Sequence, residues 1–184
     1  MKSLHKICFS LRAYLISFPV IIAIFVSFAE TENNWIIWPV GGGLFLIGFA
    51  IRIWSQQHLH YRMKIRKHMT TTGPYAIIRN PIYVGNVLMA TGAVVTSELV
   101  WFAPCVFAWG FLIYGFAVKY EEAYLIEKFG AEYADYAAKT PGWFPNGKSN
   151  SELQLVNSFF FKVMLKEAHC VLMLVPFVLK ETMS

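Results

Sequence analysis

Residues 82–118 read IYVGNVLMATGAVVTSELVWFAPCVFAWGFLIYGFAV, and this stretch decides the fold. Its one charged residue is Glu98, which follows Ser97 near the middle. The stretch is too long for a single helix across a hydrocarbon core of about 30 Å, which about 20 residues can span. The sequence therefore predicts two membrane-spanning helices, 82–97 and 101–118, joined by a turn at Glu98.

Two further apolar segments precede this hairpin. Residues 13–29 carry no charge, and residues 35–54 carry only Arg52, whose long side chain can reach the membrane interface. The C-terminal stretch 156–180 has a shorter apolar core and is compatible with a fifth span, an interfacial helix or a re-entrant helix. We expect it to form a helix that enters the membrane.

Glycines recur in the predicted spans. Gly85 and Gly92 are seven residues apart and therefore lie on one helix face. Small residues on one face let two helices approach closely in a membrane. We expect Gly41, Gly42 and Gly43 of the second span to serve the same purpose.

The composition is typical of a membrane protein. Of the 184 residues, 57% are hydrophobic and 15% are charged, against about 25% charged in soluble domains. We predict an all-α, polytopic transmembrane helical bundle of four to five spans, folded as a single domain over residues 1–184. The net charge of +5 does not indicate a nucleic-acid partner, because the basic residues flank apolar spans.

The distribution of basic residues predicts the orientation. The predicted outer loops, 30–34 and 97–100, contain no Lys or Arg. Provided that the C-terminal segment does not cross, all sixteen Lys and Arg residues fall on the other side or at the span end facing it. Positively charged loops stay in the cytoplasm, so the N-terminus, the 55–81 loop and the 119–150 segment should face it. We expect an integral protein of the bacterial inner membrane or an equivalent membrane, in contact with membrane lipids.

The loop 55–72 is basic and contains His58, His60 and His68. No Cys or acidic ligand lies nearby, so we expect no metal site and interpret the loop as a solvated segment attracted to anionic lipid. The three cysteines are far apart along the chain, and those in apolar runs are expected to be buried, unreactive thiols.

Two polar clusters flank the hairpin and should meet at one membrane face. The first, residues 73–83, reads GPYAIIRNPIY. Gly and Pro indicate a turn, Pro81 suits the first turn of a helix, and Asn80 would be the N-cap of that helix. The exposed N–H groups of such a helix start favour a carboxylate or another electron-rich group. A plain helix start with Tyr83 as an interfacial anchor fits equally well.

The second cluster, residues 121–136, reads EEAYLIEKFGAEYADY. Glu121 and Glu122 would end the fourth span, where carboxylates oppose the helix dipole. A chain that keeps them can use one to bind a cation, or both can be simply solvated. The residues that follow predict an amphipathic helix on the membrane surface, whose apolar face is used more often for packing than for substrate contact: Leu125, Phe129, Tyr133 and Tyr136.

Together the two clusters resemble a known family. T-G-P-Y-x-x-x-R-N-P-x-Y over residues 72–83, a hairpin, and E-E-x-x-L-x-x-x-F-G-x-E-Y-x-x-Y over residues 121–136 are similar to the isoprenylcysteine carboxyl methyltransferase family, whose relatives include membrane phospholipid N-methyltransferases. The resemblance covers about residues 55–145, the catalytic core in that family. It implies S-adenosylmethionine as the methyl donor, held in a cytoplasmic-face pocket between the helix ends.

The resemblance also implies roles for individual residues. Cofactor contacts are expected from the stretch before the turn, the turn, the start of the third span and the first Glu of the pair: Lys67, His68, Met69, Thr70, Tyr75, Asn80, Pro81, Ile82, Tyr83 and Glu121. Arg79 matches a family arginine, and Tyr83 or Glu122 could accept a proton from an amine, so these three are the expected catalytic residues. Asn80 stands where the family more often has His, and Ala117 where the eukaryotic enzymes carry an Arg for the substrate carboxylate.

We therefore expect methyl transfer to a lipophilic, membrane-resident acceptor, most like isoprenylcysteine carboxyl O-methylation. Three alternatives stay open: a phospholipid or amine N-methyltransferase, an NADPH-dependent membrane reductase whose 2′-phosphate the basic loop could bind, and a non-enzymatic membrane protein. The Glu pair favours a sulfonium donor over NADPH, and no ionisable residue lies mid-span to mark a transport path.

Overall fold

The computed structural model describes residues 2–26, 28, 33–65, 69–147, 155 and 158–183. These residues form the α-helices α1 (Lys2–Phe25), α2 (Asn34–Ile65), α3 (Pro81–Thr96), α4 (Ala103–Phe129), α5 (Ala131–Lys139), α6 (Phe160–Glu167) and α7 (Val175–Met183). Short 3₁₀ helices occupy Gly73–Ala76, Val100–Phe102 and Ala168–Leu174. No strand occurs within the described ranges, so the predicted all-α fold is confirmed.

The four predicted spans correspond to α1–α4. By length and composition α1, α2 and α4 can cross a membrane, whereas α3 is apolar but has only 16 residues. The hairpin between α3 and α4 turns at Glu98 as predicted, and Glu98 adopts a left-handed backbone with φ of 66°.

The first helix begins and ends earlier than predicted, at Lys2 and Phe25 rather than 13 and 29. Its polar first half packs against α4: the His5 ring stacks on Phe116 with centroids 5.7 Å apart, and Phe9 lies 5.2 Å from Tyr120. A charged stretch can therefore be helical here because its apolar side chains find partners on α4.

The prediction of a loop over residues 55–72 is wrong for residues 55–65, because α2 continues without a break to Ile65. Ser55, Gln57 and His58 are almost fully buried, with at most 2% of their surface exposed. Hydropathy marks where the lipid ends, whereas a helix continues wherever its polar side chains find partners inside the protein.

α2 and α3 make close backbone contact at two pairs of glycines. A Cβ atom added to Gly48 would lie 2.6 Å from the carbonyl oxygen of Gly85, and one added to Gly85 would lie 2.7 Å from that of Gly48. Gly41 and Gly92 meet in the same reciprocal way, at 2.9 and 2.6 Å. The two backbones touch, which confirms the expected close packing of the face that carries Gly85 and Gly92.

The same expectation is wrong for Gly42 and Gly43. An added Cβ at either position meets no atom within 4 Å. Only one residue of the glycine triplet can face α3, because successive residues of a helix point about 100° apart.

The C-terminal segment enters the bundle as two short helices, α6 and α7, on either side of the Ala168–Leu174 turn. At one end, Gln57 Nε2 donates to the Leu155 carbonyl at 2.6 Å. At the other, Lys180 Nζ donates to the Val26 carbonyl at 2.6 Å, where α1 ends. The segment therefore runs the length of the bundle.

Lys180 qualifies the charge argument for the orientation. Its ammonium also lies 3.5 Å from the carbonyl oxygens of Ala23 and Ser97, at the ends of α1 and α3. Lys180 is thus at the end of the bundle opposite the Glu pair, so not every basic residue lies at the Glu-pair end. A cation that caps two helix ends satisfies free carbonyl groups there, so it needs no cytoplasmic environment.

Replacing Gly48 by Ala should destabilise the bundle by about 1–3 kcal/mol, because the new methyl group must push α2 and α3 apart. Gly42→Ala is the matched control, since it lies on the same helix in open space and gains helix propensity of up to about 1 kcal/mol. Thermal unfolding in detergent, followed by tryptophan fluorescence, measures both. Equal unfolding midpoints for the two variants would contradict the glycine contact.

Candidate active site

The turn that precedes α3 packs against a buried histidine. Gly73 has φ of 62°, and a Cβ atom there would lie 2.4 Å from His58 Nε2. His58 Nδ1 lies 3.2 Å from the hydroxyl oxygen of Thr72. His58 is therefore part of the support of the turn and not, as predicted, part of a solvated loop. The sequence could not show this, because a histidine pattern alone does not say which way the ring points.

Arg79 and Asn80 bind the turn to the end of α5 and to the residues that follow it. The backbone N–H of Arg79 donates to the Pro141 carbonyl at 2.8 Å, and its Nη1 donates to the Ala137 carbonyl at 2.7 Å. Asn80 Nδ2 donates to the Gly142 carbonyl at 3.1 Å. Asn80 is the N-cap residue of α3, as predicted, but its side chain makes no capping bond. The amide is used for a tertiary contact instead.

The two glutamates of the second cluster have different partners. Tyr83 Oη donates to Glu121 Oε2 at 2.8 Å. Arg79 Nη2 lies 2.9 Å from Glu122 Oε1 and forms an ion pair with it. The placement of the pair at a helix C-terminus was wrong, because α4 continues to Phe129. Their position therefore reflects these contacts with the turn and not a tolerated clash with the helix dipole.

These residues surround a cavity of about 700 Å³. The structure describes ten of the residues predicted for the site, and all ten line this cavity: Met69, Thr70, Tyr75, Arg79, Asn80, Pro81, Ile82, Tyr83, Glu121 and Glu122. Lys67 and His68 lie outside the described residues. The turn and the Glu pair thus contribute to one site, although Tyr83 and Glu121 are 38 residues apart along the chain.

The aromatic residues beyond Gly130 cover this cavity. Gly130 has φ of 55° and ends α4, so α5 starts in a new direction. Tyr133 is 3% exposed, and Tyr136 donates its hydroxyl to the Tyr75 carbonyl at 2.7 Å. The segment before Pro141 ends in an amphipathic helix, as expected, and Tyr133 and Tyr136 of that helix turn towards the cavity.

The phenols at this end of the cavity stay neutral. Burial, followed by the charge of Glu121, raises the pKa of Tyr75 well above its usual value. Burial, followed by Glu122, does the same to the pKa of Tyr133, and burial followed by Tyr133 raises the pKa of Tyr136. Neutral phenols donate hydrogen bonds and present π faces over the whole working pH range, but they do not act as anionic bases.

The other end of the cavity carries polar residues from the helices themselves. Arg52 Nη1 donates to Asn86 Oδ1, and Asn86 Nδ2 donates to Tyr114 Oη at 3.1 Å. The Tyr114 ring stacks on Tyr83 with centroids 4.5 Å apart, which links this end to Glu121. Arg52 does not reach out to the interface as predicted, because its Nε donates to the buried Glu167 at 2.7 Å.

Sequence reasoning missed this second set of lining residues, which includes Arg12, Arg52, Gln56, Asn86 and Tyr114. A signal for two of them was present. Arg52 and Asn86 are polar residues inside apolar runs, and such residues in membrane spans usually face a site or a polar partner. Arg12 carried no such signal, since it stands at the boundary of a basic segment.

Residues 36–132 match the family model described as phospholipid methyltransferase, which is more than half of the chain. The chain belongs to this family. The matched region of the phospholipid methyltransferase family begins in α2 and ends in α5, so it includes the turn and the Glu pair. It leaves out α1 and the C-terminal segment.

Among curated relatives, one is a methyltransferase and two are metal-resistance proteins. The chain is 30% identical over 143 residues to protein-S-isoprenylcysteine O-methyltransferase B of Arabidopsis thaliana, which is 72% of each protein. It is 28% identical over 132 residues to the nickel-cobalt-cadmium resistance protein NccN of Alcaligenes xylosoxydans xylosoxydans, and spans 59% of that protein. It is also 28% identical over 131 residues to the cobalt-zinc-cadmium resistance protein CzcN of Cupriavidus metallidurans, of which it spans 58%. No solved structure matches the chain significantly.

Gly73→Ala should be among the most damaging single changes at the site. A left-handed backbone costs a non-glycine residue about 1–2 kcal/mol, and the clash with His58 adds about 1–3 kcal/mol. Gly147→Ala is the control, because Gly147 also has a positive φ, 76°, but no atom within 4 Å of an added Cβ. Thermal unfolding midpoints should fall clearly further for Gly73→Ala. Equal losses would mean that His58 does not support the turn.

Proposed function

We propose that this chain uses S-adenosylmethionine to methylate a lipophilic, membrane-resident acceptor in the cavity between the turn and the Glu pair. The observation that carries the proposal is the Glu121 carboxylate, which lines a cavity of about 700 Å³ and is held by Tyr83. The volume falls in the range of small-molecule sites, about 300–1,000 Å³. Membership of a methyltransferase family supports an enzymatic role.

The residues at the Glu121 end suit a positively charged donor. Glu121 supplies a negative charge, and Tyr75, Tyr83, Tyr133 and Tyr136 line the same cavity. Aromatic faces and carboxylates both stabilise a sulfonium or ammonium group, more so where water is excluded. S-Adenosylmethionine would supply a methyl group that is already activated for transfer. The remaining predicted contacts, from Met69 to Ile82, would form the wall around the donor.

Arg79 and Glu122 suit a positioning role. Arg79 holds α4 through Glu122 and holds the end of α5 through Ala137. This joins α5 to the turn and to α4, which carry predicted cofactor contacts. Orientation of the reactants is a large part of what a protein can contribute to a displacement reaction.

The proton requirement favours a carboxylate acceptor over an amine. Tyr83 already donates its proton to Glu121, and Glu122 is paired with Arg79. An amine acceptor would need one of these groups to take up a proton, at the expense of its present contact. A carboxylate has no proton to lose. This supports O-methylation, the reaction in the name of the Arabidopsis relative, protein-S-isoprenylcysteine O-methyltransferase B, with N-methylation as the second candidate.

The far end of the cavity suits the acidic group of such an acceptor. Arg12 and Arg52 both line it, while Ala117, at the position of the family arginine, is fully buried. Because Arg52 is already paired with Glu167, we propose that the Arg12 guanidinium supplies the positive charge that Ala117 cannot. We also propose that the Glu121 end of the cavity faces the cytoplasm, because the sequence assigns its Lys- and Arg-rich segments to that side.

Methyl transfer should be detectable in membranes that contain this chain. Incubation with S-adenosylmethionine labelled in its methyl group, followed by organic extraction, should place label in the lipid fraction. Label released by mild base would identify an ester, and base-stable label would identify N-methylation. Membranes without the chain are the control. A thermal shift with NADPH but none with S-adenosylmethionine would overturn the proposal in favour of a reductase.

Glu121→Gln should weaken donor binding by about 1.5–3 kcal/mol, roughly 10- to 150-fold, because it removes the charge and keeps the shape. Glu122→Gln is the matched variant. It should leave donor affinity nearly unchanged and lower stability by about 1–2 kcal/mol, because it breaks the ion pair with Arg79. Calorimetric titration with the donor and thermal unfolding separate the two effects. Unchanged affinity in Glu121→Gln would refute its role.

A further inference from the structure

The turn between α6 and α7 carries a second cluster of chemically active side chains: Glu167, His169 and Cys170. The proposed methyl transfer uses none of them, and they lie beyond the residues that match the family model. Their candidate ligand atoms all lie within 4.8 Å of one another. We propose that this cluster binds a single thiophilic divalent cation, of which Zn²⁺ is the representative.

The distances at Cys170 suit one shared ion. Its Sγ lies 3.7 Å from Glu167 Oε2 and 3.7 Å from His169 Nε2. Zinc binds sulfur at about 2.3 Å and imidazole nitrogen at about 2.0–2.1 Å, which makes the sulfur–nitrogen edge of a tetrahedral site about 3.6 Å. An ion can therefore reach these groups with small side-chain movements.

The hydrogen bond at the other nitrogen of His169 prepares the ring for a metal. His169 Nδ1 lies 2.8 Å from the carbonyl oxygen of Lys166. A carbonyl oxygen only accepts, so Nδ1 carries the proton, and in the neutral ring Nε2 keeps its lone pair on the side of Cys170. Metal-binding histidines usually donate their second nitrogen to a carbonyl or carboxylate in this way.

Glu167 is held in place by an outer partner. It is 4% exposed, and Arg52 Nε donates to its Oε2 at 2.7 Å. The same Oε2 atom lies 3.7 Å from Cys170 Sγ, so the contact with Arg52 holds the carboxylate beside the thiol. Because Arg52 also lines the large cavity, the proposed metal site adjoins the proposed active site through this ion pair.

The local backbone explains why the three groups converge. α6 ends at Glu167, and Ala168–Leu174 continues as a 3₁₀ helix, which has three residues per turn. Glu167 and Cys170 are therefore one turn apart on the same side. His169 is exposed and gives an ion access, and three protein ligands leave a fourth position open.

The donor set decides the class of ion. A thiolate with an imidazole selects zinc-like ions over Mg²⁺ or Ca²⁺, which prefer oxygen ligands. On binding, the metal–sulfur bond forms as the Cys170 thiol loses its proton to solvent. No oxidant or reductant is involved.

Cobalt(II) is a spectroscopic probe for this site. The full chain, purified in detergent without a histidine tag and treated with chelator, should bind one Co²⁺. Binding should give a sulfur-to-cobalt charge-transfer band and the intense visible bands of tetrahedral cobalt, and added Zn²⁺ should remove both. Zn²⁺ should also raise the thermal unfolding midpoint by mass action. Neither readout depends on methyl transfer.

Variants assign the ligands. Cys170→Ser should abolish the charge-transfer band, and Cys105→Ser, which changes an exposed cysteine on α4, should leave it intact. His169→Asn changes an exposed side chain, so the fold should survive, and it should weaken Co²⁺ binding by at least about tenfold. The proposal is overturned if the band is absent, if it persists in Cys170→Ser, or if His169→Asn binds as tightly as the parent chain.

Discussion

The backbone contact between α2 and α3 is the constraint on which the rest of the structure depends. Gly41 meets Gly92 and Gly48 meets Gly85, so the two helices lie as close as polypeptides can. An added Cβ at Gly85 would also touch the backbone of Arg52, at 3.2 Å from its nitrogen. The contact therefore sets both the distance and the rotation of α2 relative to α3. It brings Arg52 to Asn86 and places the end of α2, with His58, under the turn at Gly73.

Each charged side chain in and beside this site has a specific partner, and Glu167 is almost fully buried while Glu121 and Glu122 are partly buried. Burial of an unpaired charge costs several kcal/mol, whereas a paired and hydrogen-bonded charge costs far less. Glu122 has Arg79, Glu167 has Arg52, and Glu121 has the Tyr83 hydroxyl. Of the three, Glu121 alone is matched with a neutral group in the contacts seen here. A cation is thus the ligand that would complete its electrostatic environment.

The C-terminal segment packs against the bundle and lies outside the residues that match the family model. Gln57, Arg52 and Lys180 tie it to α2 and to the end of α1 by side-chain bonds along its whole length. It is interrupted at Ala168–Leu174, where Glu167 turns towards Arg52. A broken helix leaves backbone groups that need polar partners, and such places often carry function.

The sequence by itself determined the helical class, the hairpin turn at Glu98 and the residues of the two motifs, because apolar segment length and residue type are local properties. It also placed Gly85 and Gly92 on a packing face, since helical period follows from spacing. Tertiary structure alone decided how far α2 and α4 extend, where the Asn80 amide points and that Tyr133 turns inwards. It alone joined Arg52 to Glu167, 115 residues later in the chain. Such contacts depend on how helices rotate and pack against one another, and hydropathy and spacing along one segment carry no information about that rotation.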